Sequence, residues 1–193
     1  MTTRVVVGIS GASGAVYGAR IVELLAATGA FETHLIVSKA AEATLAHEIG
    51  PDAAEALRNS AAVVHPIDAI GATIASGSFQ TAGMIVAPCS MRTLGAIAMS
   101  LSDNLLVRAA DVHLKERRPL VLLARETPLH LGHLRSMVAV TEMGAIVAPP
   151  VPGFYRRPQT LAEIVDATAS RAIDLLGLGI DLDRKRWAGL SSA

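Results

Sequence analysis

Apolar and polar positions along the chain switch repeatedly between two periods. Residues 4–9 (RVVVGI) form a short β-branched run, and after the glycines that follow, Tyr17, Ile21, Leu24, Leu25 and Thr28 return at helical spacing. That order predicts strand, tight loop, helix. Residues 33–37 (THLIV) repeat the strand signal, and Ser38 then stands ahead of Lys39, Ala40, Ala41 and Glu42 as an N-cap whose oxygen accepts from the first turn. The pattern weakens over 50–77, where a short helix at 53–58, a strand at 61–65, Pro66 and the small-residue run 75–78 suggest a stretch that is mostly loop. Residues 84–87, 120–123 and 145–148 read as buried strands, the first ended by Pro88 and the last closed by Pro149 and Pro150. Helical patterns lie between and after them. The alternation predicts an α/β chain, one domain over 1–193, built on a doubly wound parallel sheet of Rossmann-like or flavodoxin-like kind, with a C-terminal tail from about 180 to 193. In such sheets ligands bind beyond the carboxyl ends of the strands.

Composition sharpens this picture. Hydrophobic residues make up 51% and charged residues 18%, against roughly 25% charged in ordinary globular domains, so part of the surface is expected to be covered by other subunits. Lys plus Arg equals Asp plus Glu at 17 each, which leaves no global field for nucleic acid or anionic lipid, and an aromatic share of 3% does not suit base stacking. No apolar stretch approaches the roughly 18 residues of a membrane span, and Met1-Thr-Thr-Arg4 runs directly into a strand, so a cytoplasmic protein is expected. Cys89 is the single cysteine, which rules out an intrachain disulfide and an all-cysteine metal cluster.

Several loops fall at strand ends. The segment 8–14 (GISGASG) has the glycines of a loop whose backbone approaches an anion at a helix N-terminus. It is not G-x-G-x-x-G and carries no G-K-[ST], so it reads either as a cofactor loop that is not for NAD or ATP, or as a plain tight turn. The segment 88–94 (PCSMRTL) offers two hydroxyls, amides and a guanidinium at a helix start, a phosphate cradle or a simple cap by Ser90. Cys89 there reads as a small buried hydrophobe with no catalytic role. Arg117 and Arg118 read as a solvated helix end or as subunit contacts, whereas Arg125 follows a buried strand, where a guanidinium fork suits phosphate. His130 and His133 could share one helical face, but no third ligand accompanies them and no metal is expected.

Five blocks taken together resemble the flavin prenyltransferase family of UbiX type: GASG at 11–14, PCSMRTL at 88–94, RAADVHLKERRPLVL at 108–122, RETPL at 125–129 and PGFY at 152–155. The resemblance covers nearly the whole chain. It implies an enzyme that transfers a dimethylallyl group from dimethylallyl phosphate to N5 and C6 of reduced FMN, without a metal. The prenylated FMN would serve a UbiD-type decarboxylase. It further implies that Gly11, Ala12, Ser13, Ser38, Ser90, Met91, Arg92, Thr93 and Arg125 hold FMN, and that Tyr155, Arg171, Lys115 and Arg108 hold the prenyl phosphate, some of them from a neighbouring subunit. Glu48 corresponds to an acidic residue near the reacting flavin, and Trp187 to a tryptophan packed by the prenyl and flavin rings. A homo-oligomer, a dodecamer in the family, is implied as well. Met91, Arg92 and His113 occupy variable positions of these blocks. An FMN-dependent decarboxylase and a non-catalytic FMN-binding subunit are the alternatives on the same fold.

Overall fold

The structure, a computed structural model, describes residues 2–179 and residue 182. Trp187 and nearly all of the expected tail lie outside the described residues. Six strands, β1 (Thr3–Ile9), β2 (Phe31–Val37), β3 (Val63–His65), β4 (Gly83–Cys89), β5 (Leu120–Ala124) and β6 (Ile146–Val147), make one sheet in the order β3-β2-β1-β4-β5-β6. Every pairing is parallel. This is the doubly wound Rossmann order, and its winding reverses between β1 and β4.

The helices are α1 (Ala15–Ala27), α2 (Lys39–Glu48), α3 (Ala53–Ser60), α4 (Met91–Ala98), α5 (Leu105–Lys115), α6 (Leu131–Glu142) and α7 (Leu161–Asp174). Both sheet faces are covered, which is why the strands read as continuous apolar runs rather than alternating ones. On one face Val5, Val7 and Ile9 pack with Ile21 and Leu25 of α1 and Ala169 and Ile173 of α7. On the other, Val6, Met84 and Val86 pack with Leu94, Leu106 and Val140. At Gly18 α1 comes so close to the sheet that an added Cβ would lie 2.1 Å from the Ala87 carbonyl oxygen.

Element boundaries depart from the sequence pattern in instructive places. Pro88 does not end β4, which continues through Cys89 with a register shift against β5 between Val86 and Cys89. The irregular pairing there accommodates a residue without an amide hydrogen. Within 50–77 a helix of eight residues and the three-residue β3 are regular elements. As an edge strand with partly exposed side chains, β3 leaves only a faint pattern. Arg118 is neither solvated nor loose: its guanidinium donates to the carbonyls of Phe79 and Gly77, at 2.8 and 2.6 Å.

Candidate active site

Backbone hydrogen bonds draw the loops after β1, β2, β4 and β5 into one rim. The Ser38 amide donates to the Ile9 carbonyl, Ser10 to Pro88 and Arg125 to Cys89, at 3.0, 3.2 and 3.0 Å. The Ser10 hydroxyl, 2% exposed, reinforces the join by donating to the Pro88 carbonyl and accepting from the Ser90 amide, at 2.9 and 2.8 Å. Ser10 was not singled out from the sequence; the available signal was a hydroxyl directly after a buried strand. Three helices begin on this rim. Gly14 starts α1 with φ 99°, a left-handed conformation that glycine adopts without a Cβ penalty. Ser38 and Ser90 start α2 and α4, their hydroxyls accepting from the amides of Ala41 and Thr93. The capping role foreseen for both serines is therefore present, and it leaves the N-termini of α1, α2 and α4, which favour anions, along the same rim.

Glu48, at the end of α2, reaches the N-terminus of α1. Its carboxylate accepts from the Gly14 amide at 2.9 Å and the Ala15 amide at 2.9 Å. Burial acts to raise its pKa, but donors from Ser13, Ala15 and Gly14 and the charge of Arg125 outweigh it and hold the carboxyl below its ordinary value. Ser13, Glu48 and Arg125 line a cleft of about 960 Å³ with Tyr17, Ile49 and Pro150. Gly11 packs so tightly on α2 that a Cβ would lie 2.3 Å from that of Ala40, so only glycine permits this path of the loop. In the 88–94 loop Met91 is half-buried, Thr93 is buried and takes the Ser90 hydroxyl, and exposed Arg92 pairs with Asp103.

A second pocket, of about 570 Å³, opens on the other side of the 149–151 segment, at the ends of β5 and β6. Tyr155, Arg156, Arg171 and Asp174 supply its polar lining. Arg156 donates to the Tyr155 hydroxyl at 3.3 Å and lies 5.7 Å from its ring centre. Arg171 pairs with Asp174 at 2.8 Å. The two clefts follow one another along α7, the first against its opening turns and the second against its closing ones.

The Flavoprotein family matches residues 1–172. A flavin prenyltransferase UbiX of Thauera aromatica is 54% identical over 96% of this chain and 94% of its own length. The chain belongs to the UbiX flavin prenyltransferase family. Its fold overlays that of AnUbiX (PadA1), solved in complex with FMN and dimethylallyl pyrophosphate, with a TM-score of 0.93, 44% identity and coverage of 98% and 99% of the two chains. A dodecameric FMN-dependent UbiX-like decarboxylase from Escherichia coli O157:H7 gives a TM-score of 0.92 at 43% identity, covering 97% and 100%.

Lys115 and Arg108, expected from the resemblance to hold the prenyl phosphate, do not line the pocket of Tyr155 and Arg171 in this chain. Lys115 closes α5 at the amino edge of the sheet, paired with Glu116. Arg108 on the same helix donates to the Ala75 carbonyl at 3.2 Å and to Asp111 at 2.8 Å. Arg108 stands in the first turn of α5 and Lys115 at its last residue. Cys89 is fully buried and its thiol is pushed up to about 12 by desolvation, an inert state. His130 caps α6 by accepting from the Gly132 amide, with its ring centre 3.6 Å from that of His133. Among the described residues no three His, Cys, Asp or Glu side chains gather as metal ligands.

Proposed function

We propose that this chain is a flavin prenyltransferase that joins a dimethylallyl group from dimethylallyl phosphate to N5 and C6 of reduced FMN. The observation that carries the proposal is the pair of clefts along α7, one holding Arg125 and the other Arg171, because a protein that only held FMN would need one. The first fits a phosphate-bearing flavin: it opens at the start of α1, Arg125 stands exposed in its lining, and the capped starts of α2 and α4 follow the neighbouring strands on the same rim. Gly11, Ala12, Ser13, Ser38, Ser90, Met91, Arg92, Thr93 and Arg125 are its residues. Reduced flavin supplies the electron-rich nitrogen and carbon that accept the prenyl group.

Breaking the allylic C–O bond leaves negative charge on phosphate, and Tyr155 and Arg171 are the donors that this chain offers it. Arg108 and Lys115 join them from a neighbouring subunit; Trp187, matched to the family's tryptophan, lies outside the described residues. Glu48 accepts the proton lost from C6, ionised for that role although its lowered pKa makes it a weaker base. Assembly, a dodecamer in this proposal, is supported by an apolar stripe on α6, where Leu131, Leu134 and Val138 are exposed. Among the described residues no helix is long and apolar enough to cross a membrane, which is compatible with a cytoplasmic enzyme passing its product to a UbiD-type decarboxylase. One sheet with a buried cluster on each face supports a single domain.

Anaerobic incubation with FMN, a reductant and dimethylallyl phosphate, followed by mass spectrometry of the flavin, tests the proposal. A prenyl adduct is expected, and unmodified flavin would refute it. Tyr155→Phe and Arg171→Ala should leave FMN affinity within a few-fold of normal yet slow adduct formation about a hundredfold, on the order of 3 kcal/mol.

A further inference from the structure

Arg171 and Asp174 occupy the last turn of α7, three residues apart, and their side chains meet at 2.8 Å with relative exposures of 61% and 29%. Stability does not account for this pair. An ion pair this open to water contributes little. A carboxylate in the last turn of a helix opposes the helix dipole, and a cation placed N-terminal to its acid is the weaker order for a helical pair. What the pair does accomplish is geometric. Arg171 is a long side chain at the mouth of the second pocket, and without an anchor its guanidinium would range over several rotamers. Asp174 takes one edge of the guanidinium fork, and both residues face the pocket alongside Thr168 and Tyr155.

We infer that Asp174 is a positioning residue, holding the Arg171 guanidinium so that its remaining donors meet the phosphate as the allylic C–O bond breaks. This rests on the prenyltransferase proposal above. A donor aimed before the reaction acts on the charge that develops in the transition state, whereas a wandering one still attracts the ground-state anion. Asp174 also repels that anion, so its removal does not weaken ground-state binding. The two effects separate in the kinetics.

Asp174→Ala should therefore lower kcat about tenfold without raising KM for dimethylallyl phosphate. FMN affinity and the thermal midpoint should not change. Asp174→Asn, whose amide oxygen still accepts from the guanidinium, should recover much of the rate. In the Arg171→Ala background Asp174→Ala should add no further loss, the mark of two residues acting as one unit. A raised KM at unchanged kcat, a lowered thermal midpoint in both Asp174 variants, or additive losses in the double variant would each overturn the assignment. The failures are also distinguishable. Should Arg171→Ala prenylate as wild type does, the site assignment falls and this inference with it. An impaired Arg171→Ala beside an unimpaired Asp174→Ala would sink the inference alone.

Discussion

Arg118 and Arg125 stand just before and just after β5, yet they have opposite fates. Arg118, at the amino end, spends its donors inside the fold, on the Phe79 and Gly77 carbonyls and, more weakly, on the Thr81 hydroxyl. Beside it His113, 1% exposed, donates from Nδ1 to the Ala109 carbonyl at 2.7 Å and accepts the Thr81 hydroxyl at Nε2, 2.9 Å away. Arg125, at the carboxyl end, is exposed, and among the described residues its guanidinium makes no hydrogen bond, sensing Glu48 through charge alone. Polar groups at one edge of the sheet close upon one another. Those at the other are anchored by the backbone and keep donors for a ligand.

The comparison can be broken most forcefully with acid. Burial, joined by the charge of Arg118, pushes the His113 pKa down to about 4 from 6.5, against weaker support for the charged form from backbone hydrogen bonds. Folding thus favours the neutral ring, so its contribution to stability is complete above pH 6.5 and drains away as the pH falls toward 4. Unfolding titrations between these limits should show wild type losing roughly 3 kcal/mol more than His113→Gln. Equal slopes would mean that the amino edge is not sealed. Next in size, Arg118→Ala should cost about 2 kcal/mol in denaturant unfolding, because carbonyls lose a charged donor, while FMN affinity is unchanged.

Arg125→Ala should do the reverse. Calorimetric titration is expected to show FMN binding weakened about tenfold, near 1.4 kcal/mol, with the thermal midpoint unmoved. A destabilised Arg125→Ala would erase the distinction between the two ends. Smallest of all, Ser38→Ala removes the acceptor for the Ala41 amide and should cost about 1 kcal/mol, a shift of roughly 2–4 °C in the midpoint for a chain of this size.

How far the sequence foretold each edge follows from the same contrast. β1 and β2 were legible because burial on both faces leaves an unbroken apolar run, and the helix start after β2 because Ser38 stands where a capping hydroxyl is needed. That Arg125 stands exposed just after a buried strand was legible by position. Arg118 was not, since its partners are carbonyls on a loop about forty residues earlier, and carbonyls are invisible in a sequence. Asp174 escaped notice for another reason: an acid three residues from an arginine is the commonest kind of helical surface pair. Lys115 and Arg108 were matched to the phosphate by resemblance alone, and periodicity gave no hint that α5 keeps both out of the pocket of Tyr155 and Arg171.

Gly18 carries the contrast into heredity. It lines neither cleft, and the nearest atom across the gap is the backbone oxygen of Ala87 rather than a side chain that could turn aside. Exchange of glycine for alanine takes a single base change, and here the extra methyl would have to be accommodated by lifting α1 from β4. The amides of Gly14 and Ala15, one turn away at the head of the same helix, would travel with it. A chain could thus inherit every residue of its active site intact and still lose the site, through the arrival of one carbon atom behind it.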